Sequence, residues 1–230
     1  MTQNLRYKCI VIDHDDTTFD STASVHYPAY ILYCEKYMKE RTWYKWLSLE
    51  EWYVMLWDDG YYEHLKKDMK LTKEEMDVEY KMWIDYVAEH PSQMFEGFFE
   101  FLVEFRKRGG IIVVCSHGVE KNIRLNYEQY NFQPDDVYGS VRGKPELCKP
   151  FTYPIDQIKE KYGLKCEDIC VIDDLYPGLK MAIDANVDAL GVMYGKGHEG
   201  VEEKMKAMCK EVFYTVKDLS DYVLLEKKEE

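Results

Sequence analysis

Cys9-Ile10-Val11-Ile12-Asp13-His14-Asp15-Asp16-Thr17 is the stretch whose reading decides the fold. Three β-branched residues in a row end abruptly at a group of carboxylates. So short and continuous an apolar run reads as a strand buried on both faces, the kind found in a parallel sheet covered by helices. With its polar flank the strand is expected over Tyr7 to Ile12, and a turn over Asp13 to Thr17. The turn itself is ambiguous. Asp favours turns and caps, yet two carboxylates this close behind a buried strand are costly unless a cation or hydrogen bonds hold them.

The same signature recurs along the chain. Ile111 to Cys115, Val137 to Val141, Ile169 to Ile172 and Ala189 to Met193 read as further strands. Between them lie helical patterns at Phe98 to Arg108, ending at Gly109, at Ile155 to Tyr162, closed by Gly163, and at Leu179 to Ala185. Strands alternating with helices predict an α/β chain with a Rossmann-like parallel sheet. The stretch from Ser21 to Met94 differs, with no buried strand but helical periodicity at Val25 to Glu40, Leu49 to Asp58, Tyr61 to Met69 and Lys73 to Glu89. Ser48-Leu49-Glu50-Glu51 and Thr72-Lys73-Glu74-Glu75 resemble capping boxes, and Trp43, Trp46, Trp52, Trp57 and Trp83, all the tryptophans, fall here. Residues 1–20 and 95–230 are therefore expected to form the α/β core and 21–94 an inserted all-α domain; the charged tail 226–230 is expected to fray.

At 230 residues the chain has room for a core and a smaller second domain. Its formal net charge of -13 argues against a nucleic-acid partner. It does not exclude a small phosphate substrate, because a bound divalent cation reverses the local sign. Seven cysteines, an odd number, fit reduced core thiols of a cytoplasmic protein. Cys166 and Cys170 have metal-pair spacing, but no second pair completes a zinc site. The first eight residues are polar, and no window approaches the apolar length of a membrane span, so no membrane partner is expected.

Polar pieces sit at the expected C-terminal ends of the strands, the edge where open parallel sheets bind ligands. They are Asp13 and Asp15; Ser116-His117-Gly118; Lys149-Pro150, before a helix; and Asp173-Asp174, followed by Pro177-Gly178. Each alone has an ordinary reading as a turn, a helix cap or a solvated lysine. Taken in order they resemble the haloacid dehalogenase superfamily, whose four motifs are a strand followed by Asp-x-Asp-x-Thr, a strand ending in Ser or Thr, a Lys often before Pro, and a strand followed by acidic residues. The resemblance covers about Tyr7 to Asp20 and Met94 to Met193; the helical insert matches by position as a C1-type cap.

The resemblance implies a set of roles. Asp13 is the nucleophile and Asp15 the general acid and base. Mg2+ is held by Asp13, by the backbone carbonyl of Asp15 and by Asp174, with Asp173 as accessory. Ser116 and Lys149 bind the substrate phosphate, helped by backbone N–H groups near His117 and Gly118. The implied partner is a small phosphorylated metabolite and the implied reaction a Mg2+-dependent phosphatase reaction. The alternatives are a mutase of the β-phosphoglucomutase type, for which Arg41 and Lys45 are candidate grips, and a non-catalytic binding protein on the same fold. Four features depart from the pattern: Asp16 where many members have Gly, Thr18 for an apolar residue, His14 between the aspartates, and a second Lys-Pro at Lys144-Pro145. Lys149 is preferred over Lys144 for its distance to the acidic pair. His14 is expected to pack beside the site, and the place of His198, in the loop Gly195 to Gly200, stays open.

Overall fold

The structure, a computed structural model, describes residues 5–57 and 60–225; the charged tail 226–230 and the first four residues lie outside the described part. The strands are β1 (Cys9–Ile12), β2 (Phe19–Asp20), β3 (Gln93–Met94), β4 (Ile111–Cys115), β5 (Asp136–Tyr138), β6 (Ile169–Asp173), β7 (Asp188–Val192) and β8 (Glu211–Phe213). The α-helices are α1 (Tyr27–Tyr33), α2 (Leu49–Trp57), α3 (Tyr61–Glu63), α4 (Lys73–Glu89), α5 (Phe98–Lys107), α6 (Glu120–Glu128), α7 (Tyr153–Tyr162), α8 (Tyr176–Asp184), α9 (Glu202–Met208) and α10 (Val216–Leu224).

Six strands form one sheet in the order β5-β4-β1-β6-β7-β8, every neighbouring pair parallel. The apolar run at Cys9–Ile12 becomes its central strand, wholly buried. Alternate side chains serve opposite faces. Ile10 and Ile12 pack with Phe98, Phe101 and Phe105 of α5 and with residues of α6 and α10. Cys9 and Val11 pack with Ile155 and Ile158 of α7 and with residues of α8 and α9. Each such aliphatic side chain contributes roughly 1.5–3 kcal/mol by leaving water, which is why a strand without one polar residue settles in the middle. Register then sets the site: Ile12 lies opposite Val114 on one side and Ile172 on the other, so β1, β4 and β6 end nearly level.

The helical insert leaves the core at β2 and returns at β3, which pair antiparallel as a two-residue ribbon, Phe19 opposite Met94 and Asp20 opposite Gln93. Wide-turned helical segments at Thr22–His26, Cys34–Met38 and His64–Asp68 join its α-helices. Both predicted capping boxes form: Glu51 N–H donates to Ser48 Oγ and Ser48 N–H to Glu51 Oε2, and Thr72 and Glu75 do the same. Tyr30, Tyr33, Trp52, Leu65 and Met69 give the insert its own core. Helix α2 also lies against the sheet domain, with Trp57 buried in the cluster behind β1. This close approach needs glycine at 197, where φ is +96° and a Cβ would lie 2.8 Å from both Leu49 Cγ and Tyr53 Cδ2.

Some boundaries differ from the sequence expectation. The strand expected over Val137 to Val141 ends at Tyr138, because at Gly139 the chain runs so close to the start of α6 that a Cβ would meet Glu120 N at 2.7 Å. Helices α7 and α8 begin before Ile155 and Leu179, since Pro154 and Pro177 sit inside their first turns, where a missing N–H costs nothing. The periodicity reading did not mark β8, a three-residue strand with an exposed first residue, nor α6, α9 and α10. No described helix is long and apolar enough to cross a membrane.

Candidate active site

The level ends of β1, β4 and β6 bring Asp13, Ser116, Asp173 and Asp174 to one edge of the sheet, and the turn that precedes α7 delivers Lys149 to the same place. Lys149 Nζ lies 2.8 Å from Asp13 Oδ1 and 2.7 Å from Asp173 Oδ2, with all three side chains at most 5% exposed. Burial opposes the ammonium, but Asp13 and Asp173 outweigh it and raise the Lys149 pKa well above its usual range. Lys144, the competing Lys-Pro lysine, is exposed. Asp173 Oδ1 accepts the Leu175 N–H at 2.8 Å, and Asp174 Oδ1 accepts the Thr17 hydroxyl at 3.0 Å. Gly178 lets α8 start this near the acids: a Cβ there would be 1.9 Å from Asp173 Oδ2. Burial raises both Asp173 and Asp174 well above the ordinary carboxylate range; Lys149 works against that shift at both, and Asp13 adds to it.

Asp13, Asp173 and Asp174 each bring a carboxylate oxygen within 4.8 Å of the others. A buried all-oxygen set of this kind suits a hard divalent cation. The Asp15 carboxylate belongs to a different neighbourhood. Its side chain is 39% exposed and Oδ1 lies 3.3 Å from His26 Nε2. Trp83 of α4 donates its indole N–H to His26 Nδ1 at 2.9 Å, so the imidazole carries its proton on Nε2 and donates to Asp15. Desolvation raises the Asp15 pKa, but the His26 bond and the fields of His14 and His26 outweigh it and hold the group well below the usual range.

Ser116 Oγ accepts the Gly118 N–H at 3.0 Å, which leaves its own proton to donate. The Gly118 N–H is thereby engaged, whereas the sequence reading assigned it to the phosphate. His117 donates from Nε2 to the Lys149 carbonyl at 2.9 Å, tying the loop after β4 to the lysine. His14 is packed beside the site: Asn126 Nδ2 lies 2.9 Å from His14 Nε2, Phe19 and Tyr127 flank the ring, and burial lowers its pKa. Thr18, the other departure, donates to the Asp13 carbonyl at 2.7 Å and so braces the turn. Cys170 is buried inside the sheet, and Cys166 points its thiol at the Ala185 carbonyl, so the two form no metal pair.

The model of the haloacid dehalogenase-like hydrolases matches residues 7–186. The chain belongs to that family. No curated protein matches it in sequence. Among solved structures it is similar to a haloacid dehalogenase-like family hydrolase from Streptococcus pneumoniae, at 14% identity and TM-score 0.70, covering 94% of this chain and 98% of that one. It is also similar to a predicted phosphatase from Clostridium acetobutylicum, at 20% identity and TM-score 0.69, with 95% and 98% covered. A protein from Bacteroides vulgatus whose name proposes a β-phosphoglucomutase aligns at 18% identity and TM-score 0.66, with 95% and 88% covered. Likenesses at this identity establish the fold.

Sequence reasoning did not find His26 and left the place of His198 open; this member of the haloacid dehalogenase-like hydrolases brings both to the site. His26 lies in the insert, where nothing local marks it. His198 follows β7, buried to 1%, with Nε2 3.4 Å from Asp174 Oδ2 and its ring 4.1 Å from that of Tyr53 in α2. Its position just past a strand end beside β6 was the available signal. Asp16, the residue standing where many members have Gly, adopts φ +53° and accepts the Ser21 and Thr22 N–H groups on Oδ1 at 3.0 and 2.9 Å. Burial and the nearby Asp174 push it up to about 7.

Proposed function

We propose that this hydrolase is a Mg2+-dependent phosphatase that cleaves a small-molecule phosphate monoester through an aspartyl-phosphate on Asp13, with residues 21–94 acting as a C1-type cap over a core of 1–20 and 95–230. One observation carries the reading: Asp13 is clamped by Lys149 at 2.8 Å among buried acids, while Asp15, two residues on, is held apart by His26. That separation is what a nucleophile and a proton carrier require.

Phosphoryl transfer is mainly a matter of position and charge. Asp13 attacks phosphorus, the bond to the leaving oxygen breaks, and Asp15, which the incoming phosphate dianion drives to take up a proton against the pull of His26, delivers that proton to the leaving oxygen. Asp15, now ionised, takes a proton from water, which attacks phosphorus in turn and restores Asp13 as phosphate leaves. The Ser116 hydroxyl and the Lys149 ammonium hold the phosphate oxygens. Asp13, the Asp15 carbonyl, Asp173 and Asp174 are the residues that would hold Mg2+, which when bound neutralises charge on the transferring group. The insert excludes water and contacts the leaving group.

The structural neighbours named as phosphatases support hydrolysis. The mutase alternative draws on the Bacteroides vulgatus neighbour, but its two candidate grips are engaged inside the insert, Arg41 with Glu75 and Lys45 with Glu51 at 2.9 Å. The test is phosphate release from a broad metabolite panel with and without Mg2+. Metal-dependent release abolished by Asp13→Asn is expected; release that survives Asp13→Asn, or hexose 1-phosphate converted to 6-phosphate without net release, contradicts the reading.

A further inference from the structure

Asp174 belongs to two buried groups of metal-competent atoms, one with Asp13 and Asp173 and one with Asp16 and His198. In the second group one atom, Asp16 Oδ2, has no partner, and the other two, Asp174 Oδ2 and His198 Nε2, face only each other. Asp16 uses Oδ1 for the Ser21 and Thr22 N–H groups, and its Oδ2 is buried without a hydrogen-bond partner. Asp174 gives Oδ1 to Thr17 and turns Oδ2 toward His198. His198 Nε2 faces that oxygen at 3.4 Å, long for a hydrogen bond. The three side chains are each only 1% exposed, so no solvent shell satisfies them.

The donor chemistry differs from that of the first group. Two carboxylate oxygens and an imidazole nitrogen suit a borderline divalent ion such as Mn2+, whereas three carboxylates suit Mg2+. Charge points the same way. Asp13, Asp16, Asp173 and Asp174 crowd one buried pocket against Lys149, a formal excess of three negative charges. One divalent ion still leaves a net negative charge facing an incoming phosphate dianion, and a second reverses the sign. Carboxylate-linked ion pairs about 3.5–4 Å apart are an established arrangement for clamping a phosphoryl group.

We propose that Asp16, Asp174 and His198 form a second divalent-cation site, selective for a borderline ion, that shares Asp174 with the Mg2+ site. The proposal rests on Asp13, Asp173 and Asp174 being the first cation site. His198 is seated by Tyr53 of α2, so the second site is complete only while the insert lies against the core.

The test uses the full chain, stripped by a chelator and titrated with Mn2+, with stoichiometry read by calorimetry and ion–ion coupling by electron paramagnetic resonance. The wild type is expected to bind two Mn2+ with an exchange-coupled spectrum. His198→Ala and Asp16→Asn are each expected to bind one, uncoupled. Asn at 16 keeps an oxygen for the Ser21 and Thr22 N–H groups and tolerates a positive φ, so this variant decides the matter if His198→Ala fails to fold. A single Mn2+ in the wild type overturns the proposal and leaves the phosphatase reading standing. Two in both variants overturn it by placing the second ion elsewhere. None in the wild type overturns the proposal and the metal dependence of the phosphatase reading together.

Discussion

The floor of the site around Asp13 and its wall around Asp15 are two residues apart in sequence and opposite in surroundings. On the floor, Asp13 is 4% exposed, ion-paired to Lys149, and surrounded by groups from the ends of three strands. At the wall, Asp15 is partly open to solvent and answers to His26 and Trp83, which belong to the insert. Two identical side chains thus acquire different chemistry from their neighbours alone. The floor is fixed by the sheet; the wall depends on the insert being in place.

Substitutions at the two aspartates should separate them most. Asp13→Asn is expected to lower kcat by about 10^4-fold or more, since it removes the covalent route. Asp15→Asn should lower it by roughly 10^2–10^4-fold while still accumulating phosphoryl-enzyme from a substrate with a good leaving group. Equal and complete loss in both, with no trapped intermediate in Asp15→Asn, would erase the distinction. Lys149→Ala leaves Asp13 and Asp173 buried without their cation, so it should cost about 3–5 kcal/mol of stability in thermal or denaturant unfolding. An unchanged unfolding midpoint would mean the floor is not held by that ion pair.

At the wall the effects should be smaller. Trp83→Phe keeps the ring but removes the donor that fixes the His26 proton on Nε2. The loss of one such bond is worth about 0.5–1.5 kcal/mol, so kcat should fall about twofold to tenfold, with the fold and the metal affinity intact. A loss as large as that of Asp15→Asn would make Trp83 part of the floor's machinery instead. Lys144→Ala, on the exposed lysine that competes by sequence alone, should leave activity within about twofold.

What was legible in the sequence follows the same division. The central strand, its level neighbours, Asp13, Ser116 and the acidic pair could be read because each forms or ends a short apolar run, a local signal that topology carries to one edge. Even Lys149 against Lys144 was decided by spacing. The roles of His26 and Trp83 were not legible, and that of His198 stayed open, because they arise from packing between segments far apart in the chain, the indole of Trp83 meeting an imidazole 57 residues earlier. The engagement of the Gly118 N–H by Ser116 Oγ was hidden for a simpler reason: a residue pattern does not say which way a hydroxyl turns. Wide-turned segments in the insert likewise left no periodic trace distinguishing them from ordinary helix.

The central claim is that Asp13 carries the phosphoryl group. Rapid quenching during turnover, followed by peptide mass analysis, tests it directly. The account predicts one transient phosphoryl group on the peptide containing Asp13, absent in Asp13→Asn and longer-lived in Asp15→Asn. Phosphate release with no phosphorylated peptide at any time, or with the group on another residue, would contradict it.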